Sequence, residues 1–188
     1  IHQPFIPSSR NLQAGDLILV SGSLADHGIA VMSQREGLSF KSPIKSDTCA
    51  LNKLVEDILL AGGSDVHAMR DPTRGGLAAT LNEFAENSQV EIQIWEEHIP
   101  IMPPVRGACE LLGLDPLYIA NEGKLVAAVA AKKADPVLQA MRNHPPGMHA
   151  AVIGEVKEEH KGRVSLKTAI GGWRIVDMPV GEQLPRIC

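Results

Sequence analysis

Three cysteines in 188 residues, none in CxxC spacing, are too few and too irregular for a disulfide scaffold or a zinc ribbon. No HExxH or other paired-ligand histidine spacing occurs, so no metal site is expected. No apolar run approaches the roughly 18 residues a membrane span needs, and the opening IHQPFIPSSR lacks a charged start followed by an apolar stretch. A soluble cytoplasmic protein is the expectation. The formal charge is -4, with Lys and Arg scattered rather than gathered into a stripe, which argues against a nucleic-acid partner. No repeat of 20 to 50 residues is present, and the Walker spacing GxxxxGK[ST] is missing. The missing initiator Met points to the later part of a longer chain.

What remains is an ordinary globular composition, 44% hydrophobic and 21% charged, long enough for one self-sufficient core. LILVSG (17–22) reads as a buried strand, followed by a turn and helix in SLADHGIAVMSQREG. From Asp47 to Ala61 the spacing of Leu51, Leu54, Val55, Ile58 and Leu59 predicts a helix capped by Asp47 and stopped by Gly62-Gly63. VHAMR is a strand, DPTRGG a turn, LAATLNEFAEN a helix, and VEIQIW a half-exposed strand. The Cys109 helix, the buried strand LVAAVAA, a helix from about Asp135-Pro136, and the strands AAVIGEV, RVSLK and WRIVD complete the pattern. Strands alternating with helices and closing in strands predict an α/β sandwich with a mixed sheet. After Asp177 the periodicity ends, so 178–188 is expected to be a flexible tail carrying Cys188.

The cysteines differ in prospect. Cys109 falls on an apolar helical stripe with Val105, Ala108 and Leu112, and Cys49 reads as a small buried filler. Cys188 has no packing explanation. A thiol on a tail is open and mobile, as a nucleophile or group carrier must be, and its thiolate fraction is raised by Arg186 and lowered by a neighbouring carboxylate. An accidental free thiol is the alternative.

In Arg70-Asp71-Pro72-Thr73-Arg74-Gly75-Gly76, Asp71 or Thr73 can cap the following helix and Pro72 suits its first turn. Gly75 and Gly76 admit another backbone, and Arg74 adds a forked positive charge at an anion-attracting helix start. A capped helix packed tightly on the sheet explains the glycines equally well, but not the arginine. Glu122, in Asn121-Glu122-Gly123-Lys124 ahead of a buried strand, is either a desolvated acid or base or one half of a surface pair with Lys124. Asp26-His27-Gly28 follows the first strand, where loops often line sites; a capping Asp and a bonded His are the plainer reading.

SGSLADHG, SDTCAL, RDPTRGGLA, CELLGLDPL, ANEGKLV, IGEV and PRIC, in this order from about Ala14 to Cys188, resemble the C-terminal half of the HypE family of hydrogenase maturation factors. That family lies in the superfamily of aminoimidazole ribonucleotide synthetase and selenophosphate synthetase. The resemblance implies a three-layer α/β/α domain over 14–177, with 1–13 as the linker from an N-terminal ATP-binding domain. It implies ATP with Mg2+, bound mainly by that other domain, a carbamoyl group received on Cys188 from HypF, dehydration to a thiocyanate, and cyanide passed to iron on the HypC–HypD complex. It also implies a homodimer for the full-length protein. Carried over, Cys188 is the carrier, Glu122 the base, Arg74 the stabiliser of phosphate or developing negative charge, and Lys124 a further catalytic candidate. Asp71, Thr73, Gly75, Gly76 and His27 are the candidate nucleotide contacts, and Pro185-Arg186-Ile187 seat the arm. Ala25 stands where the resemblance implies a glycine. The terminal PRIC weighs against a purine or selenophosphate synthetase; a non-catalytic docking module is the other class of reading.

Overall fold

The computed structural model describes residues 5–37 and 43–180. The expectations placed on Pro185, Arg186, Ile187 and Cys188 lie outside the described residues.

A seven-stranded sheet in the order β2-β4-β1-β5-β3-β6-β7 organises the chain. The strands are β1 (Asp16–Val20), β2 (Val66–Arg70), β3 (Glu91–Trp95), β4 (Val126–Ala130), β5 (Ala151–Lys157), β6 (Arg163–Lys167) and β7 (Trp173–Ile175). Every neighbouring pair is antiparallel except β3 with β6, so the sheet is mixed.

Side-chain alternation divides the core. Ile18, Val20, Ala68, Val126 and Ala128, with Ile92, Ile94, Val164 and Leu166, face α3 (Gly76–Ser88), which presents Leu77, Leu81 and Phe84. Leu19, Val66, Ala127 and Val129 face the opposite way, onto α2 (Asn52–Gly62) and α5 (Ala131–Arg142) through Leu54, Ile58, Val137 and Met141. Central strands that bury both faces need near-continuous apolar runs. That is what LILV and VAAVA supply. A third small core joins α1 (Asp26–Arg35) to α4 (Pro103–Leu112) through Ile29, Val105, Ala108 and Cys109. Helices on both faces of a mixed sheet make the three-layer α/β/α sandwich expected from the sequence.

Several local expectations are corrected. The second helix starts at Asn52 with Leu51 at its N-cap, so Asp47 does not cap it. Cys49 is exposed, because it lies on the irregular segment 43–51 ahead of that helix rather than on its apolar face. The helix after β4 begins at Ala131 and takes Pro136 inside it. Pro136 is exposed, while Ala134, Val137, Leu138 and Met141 still form the buried stripe. The helix α3 begins at Gly76, with Gly75 in the left-handed region (φ 76) as its N-cap and no side-chain capping bond. Neither Asp71 nor Thr73 caps it, and Pro72 lies before the helix rather than in its first turn.

Candidate active site

The strands β1 and β2 run toward one end of the sheet, where β4 and β5 begin. The loops there, 21–28, 70–76 and 119–125, hold most of the residues singled out in the sequence. Asn121 ties the three together. Its Oδ1 accepts from the amide of Ala25 at 2.8 Å, and its Nδ2 donates to the carbonyls of Pro72 and Ile119 at 3.1 and 3.0 Å. Its own amide also donates to Pro72. Asn121 is fully buried with every amide atom bonded, so its work is to fix the loops, and Ala25 is held by it at φ 70.

The segment 43–51 lies across this end. Lys124 and Asp47 form a buried ion pair, Nζ to Oδ2 at 3.1 Å, with side chains 7% and 4% exposed. Among the described residues Asp47 Oδ2 receives no well-aligned hydrogen bond, whereas Oδ1 accepts from the amide of Glu122 at 3.3 Å. Gly123 must be glycine here, because a Cβ would stand 1.8 Å from the carbonyl oxygen of Asp47. His27 meets the same segment, its Nδ1 2.9 Å from Oγ of Ser46, and Cys49 Sγ lies 3.7 Å from the carbonyl of Gly123. Asp26 bonds the hydroxyl of Ser23 rather than capping α1. Burial pushes its carboxyl above the ordinary value of 3.8; the Ser23 hydroxyl and Lys124 pull it back, Asp47 raises it and His149 lowers it. Three charged side chains thus converge in a nearly dry space.

The neighbouring turn is open. Arg74 and Asp71 are exposed, and Arg74 makes no hydrogen bond or ion pair among the described residues. Gly76 admits a second backbone as expected: a Cβ would lie 2.6 Å from the carbonyl oxygens of Leu117 and Ile119. The chain after β7 comes back to this turn. Asn82 Nδ2 donates to the carbonyl of Val176 at 2.9 Å, and the Tyr118 hydroxyl donates to that of Asp177 at 3.1 Å. Cγ of Pro179 then lies 3.0 Å from where a Cβ on Gly75 would stand. The segment 176–180 is therefore docked along α3 toward the site.

Residues 13–167 match the family described as AIR synthase related protein, C-terminal domain. The chain belongs to that family. It is 57% identical over 174 residues to the carbamoyl dehydratase HypE of Rhizobium leguminosarum bv. viciae, covering 93% of this chain and 50% of that protein. A structure of the hydrogenase maturation protein HypE in complex with ATP superimposes with a TM-score of 0.92 at 47% identity, covering 97% of this chain and 55% of that one. A HypE–HypF complex matches with a TM-score of 0.87 at 44% identity, covering 92% and 55%. The chain spans about half the length of the curated relatives it matches. Among the described residues no helix is long and apolar enough to cross a membrane.

Of the predicted site residues, Glu122, Lys124 and His27 are brought together, and Asp71, Thr73, Arg74, Gly75 and Gly76 form the adjoining turn. The sequence reading did not single out Ser23 or Asp47 for this site, quoted Asn121 only as the start of the NEGK stretch, and preferred a cap for Asp26. Asp47 lay within the quoted SDTCAL stretch, but its position ahead of a periodic apolar run gave it the look of a helix cap.

Proposed function

We propose that this chain is the C-terminal half of an ATP-dependent carbamoyl dehydratase acting in [NiFe]-hydrogenase maturation. The observation that carries the reading is the path of 176–180, which brings the chain leading to Cys188 onto the TRGG turn. Residues 181–188 follow Val180 in the sequence, and eight extended residues span up to about 26 Å. That length suits an arm that collects its cargo on one protein, brings it to a nucleotide, and delivers it to another.

In this reading the Cys188 thiolate takes a carbamoyl group from a HypF-type transferase. The carboxamide oxygen attacks the γ-phosphorus of ATP, and ADP leaves. Two amide protons are removed as the phosphorylated oxygen departs as phosphate, leaving S–C≡N. The cyano carbon then bonds to iron on a HypC–HypD-type complex as its S–C bond breaks, the Cys188 thiolate leaving and the iron centre supplying the two electrons. In this reading Glu122, half-buried beside the buried charges, takes up a proton. Arg74, exposed beside the start of α3, suits a phosphate, since a guanidinium and free helix amides favour anions. The turn residues Asp71, Thr73 and Gly75 border the same space. Among the described residues no group of three or more His, Cys, Asp or Glu is placed to hold a metal ion. In this reading Mg2+ comes with the nucleotide and is held mainly by the ATP-binding half. A homodimer and a cytoplasmic location go with the same reading.

Intact-mass measurement tests it. Incubated with carbamoyl phosphate, ATP and the transferase, the chain gains one carbamoyl group on Cys188; joined to the half its relatives carry in addition, it then loses the elements of water. This chain alone is expected to stop at the first stage. An unchanged mass in both forms overturns the dehydratase reading and favours a docking module.

A further inference from the structure

Asp47 touches three consecutive residues of the NEGK loop through three different atoms. Its Oδ1 accepts the amide of Glu122 at 3.3 Å, its backbone carbonyl presses on Gly123, and its Oδ2 pairs with Nζ of Lys124 at 3.1 Å. The Lys124 stem is itself confined: a Cβ on Gly22 would lie 3.0 Å from its Cε. An ammonium 7% exposed and held this way has little freedom to reach a substrate. Glu122, one residue from the clamp, is only half-buried.

We infer that Asp47 is a positioning residue for Glu122, that the segment 46–49 is a strap setting the direction of the Glu122 side chain, and that Lys124 serves to hold the strap. This rests on the reading of Glu122 as the proton acceptor. Three contacts on successive residues fix the plane of the peptides on both sides of Gly123, and so fix the Cα–Cβ direction of the residue before it. The strap is also anchored outside the loop. Ser46 and Thr48 both approach Nδ1 of His27, at 2.9 and 3.4 Å, and the Cys49 thiol donates to the carbonyl of Gly123.

Energetics favour a positioning role over a purely structural one. A buried ion pair returns its desolvation cost only when the remaining lone pairs are also bonded, and apolar packing of similar volume is commonly as stable. Among the described residues Asp47 Oδ2 has no well-aligned donor, so the pair is a poor device for stability alone. It is a good device for direction. A general base must sit within hydrogen-bond reach of its proton, and displacements near 1 Å are felt in the rate.

The test uses the protein that joins this chain to the half its relatives carry, loaded with a carbamoyl group and given ATP. Asp47→Ala is expected to lower kcat for dehydration roughly 100-fold, with KM for ATP and the extent of carbamoylation unchanged. Asp47→Asn keeps an oxygen for the Glu122 amide, and is expected to recover most of that loss. Gly123→Ala alters no charge but drives the strap off the loop, and should match Asp47→Ala. Rates are taken per folded molecule, with melting curves recorded for each variant. Equal kcat in wild type and Asp47→Ala, or an Asp47→Asn no better than Asp47→Ala, overturns the inference. Glu122→Gln separates the two levels. If it turns over normally, the reading of Glu122 as base is wrong; if it is inactive while Asp47→Ala is normal, only the strap is wrong.

Discussion

At its first residue β1 buries Asp16, whose Oδ2 accepts the amide of Gln13 at 2.8 Å and faces Nδ1 of His67 at 2.7 Å. Beyond the other end of the same strand the chain buries Asp26 and Asp47, which share the field of one lysine, Lys124. The two ends use the same elements, a carboxylate with a cationic or imidazole partner in a nearly dry place, and differ in how completely they are satisfied. The Asp16 end is closed: strand start, turn and imidazole meet in one bonded group. Among the described residues the Asp26–Asp47 end is short of partners, with Lys124 shared by two carboxylates and an oxygen without a well-aligned donor. Fully bonded buried polar groups rigidify a fold, whereas incompletely compensated charges at a mouth of loops mark where a ligand can bind or react. The contrast assigns structure to one end and chemistry to the other.

The hardest way to break the contrast is at the closed end. Asp16→Ala leaves His67 and the Gln13 amide without their acceptor, and is expected to cost about 2 kcal/mol of stability, since orphaning buried charge-assisted donors carries a penalty of that order. Urea denaturation of this chain measures it. In the longer protein, kcat per folded molecule should be unchanged; a large kinetic loss at normal stability would mean that the two ends are not functionally separate.

Removing a buried carboxylate should have the opposite sign at the open end. The Asp26 carboxyl is held above its ordinary value of 3.8, chiefly by burial. The folded state therefore keeps its proton more tightly than the unfolded one, so this group favours folding in acid. That contribution is lost as pH rises from near 3.8 through the folded value. Asp26→Asn removes this dependence, and above that window the variant should be at least as stable as the wild type. Denaturation midpoints of both proteins between pH 4 and pH 8 check it. A variant uniformly less stable at neutral pH would show that the Ser23 hydroxyl and Lys124 more than offset the burial of the charge.

How much of this could be read without coordinates follows the same division. Periodicity located every strand and helix, because burying one face or two imposes a pattern that LILV, VAAVA and the Leu54–Ile58 stripe display openly. The TRGG segment stood out because its arginine has no packing explanation, whereas NEGK reads equally as a turn with a surface Glu–Lys pair and drew its weight from the resemblance. Asp47 was not. An aspartate a few residues ahead of an apolar helix has the local look of a cap, and only the tertiary approach of 43–51 to Gly123 reveals its partners. Asn121 was passed over for a similar reason: its three side-chain bonds reach residues 96, 49 and 2 positions away, and no local pattern records such a junction. The error over Pro136 belongs elsewhere, since an exposed proline can remain inside a helix whose buried stripe continues past it.

The smallest effect should come from Ala25, and the reason sharpens what Asn121 does. Ala25 sits at φ 70, in the left-handed region that favours glycine. Relief of that strain in Ala25→Gly is worth about 1 kcal/mol. Against it stand the added freedom of glycine in the unfolded chain, about 0.7 kcal/mol, and the loss of one fully buried methyl from the α1–α4 core, about 0.8 kcal/mol. These nearly cancel, so Ala25→Gly is expected to shift stability by no more than about 0.5 kcal/mol, toward loss. Asn121 Oδ1 on the Ala25 amide makes the balance possible, because it bonds the one conformation in which that N–H points into the loop junction. If Ala25→Gly instead stabilises the chain by a full kcal/mol in thermal or urea denaturation, the methyl contributes nothing to its core, and the junction at Asn121 holds the backbone under strain rather than supporting it.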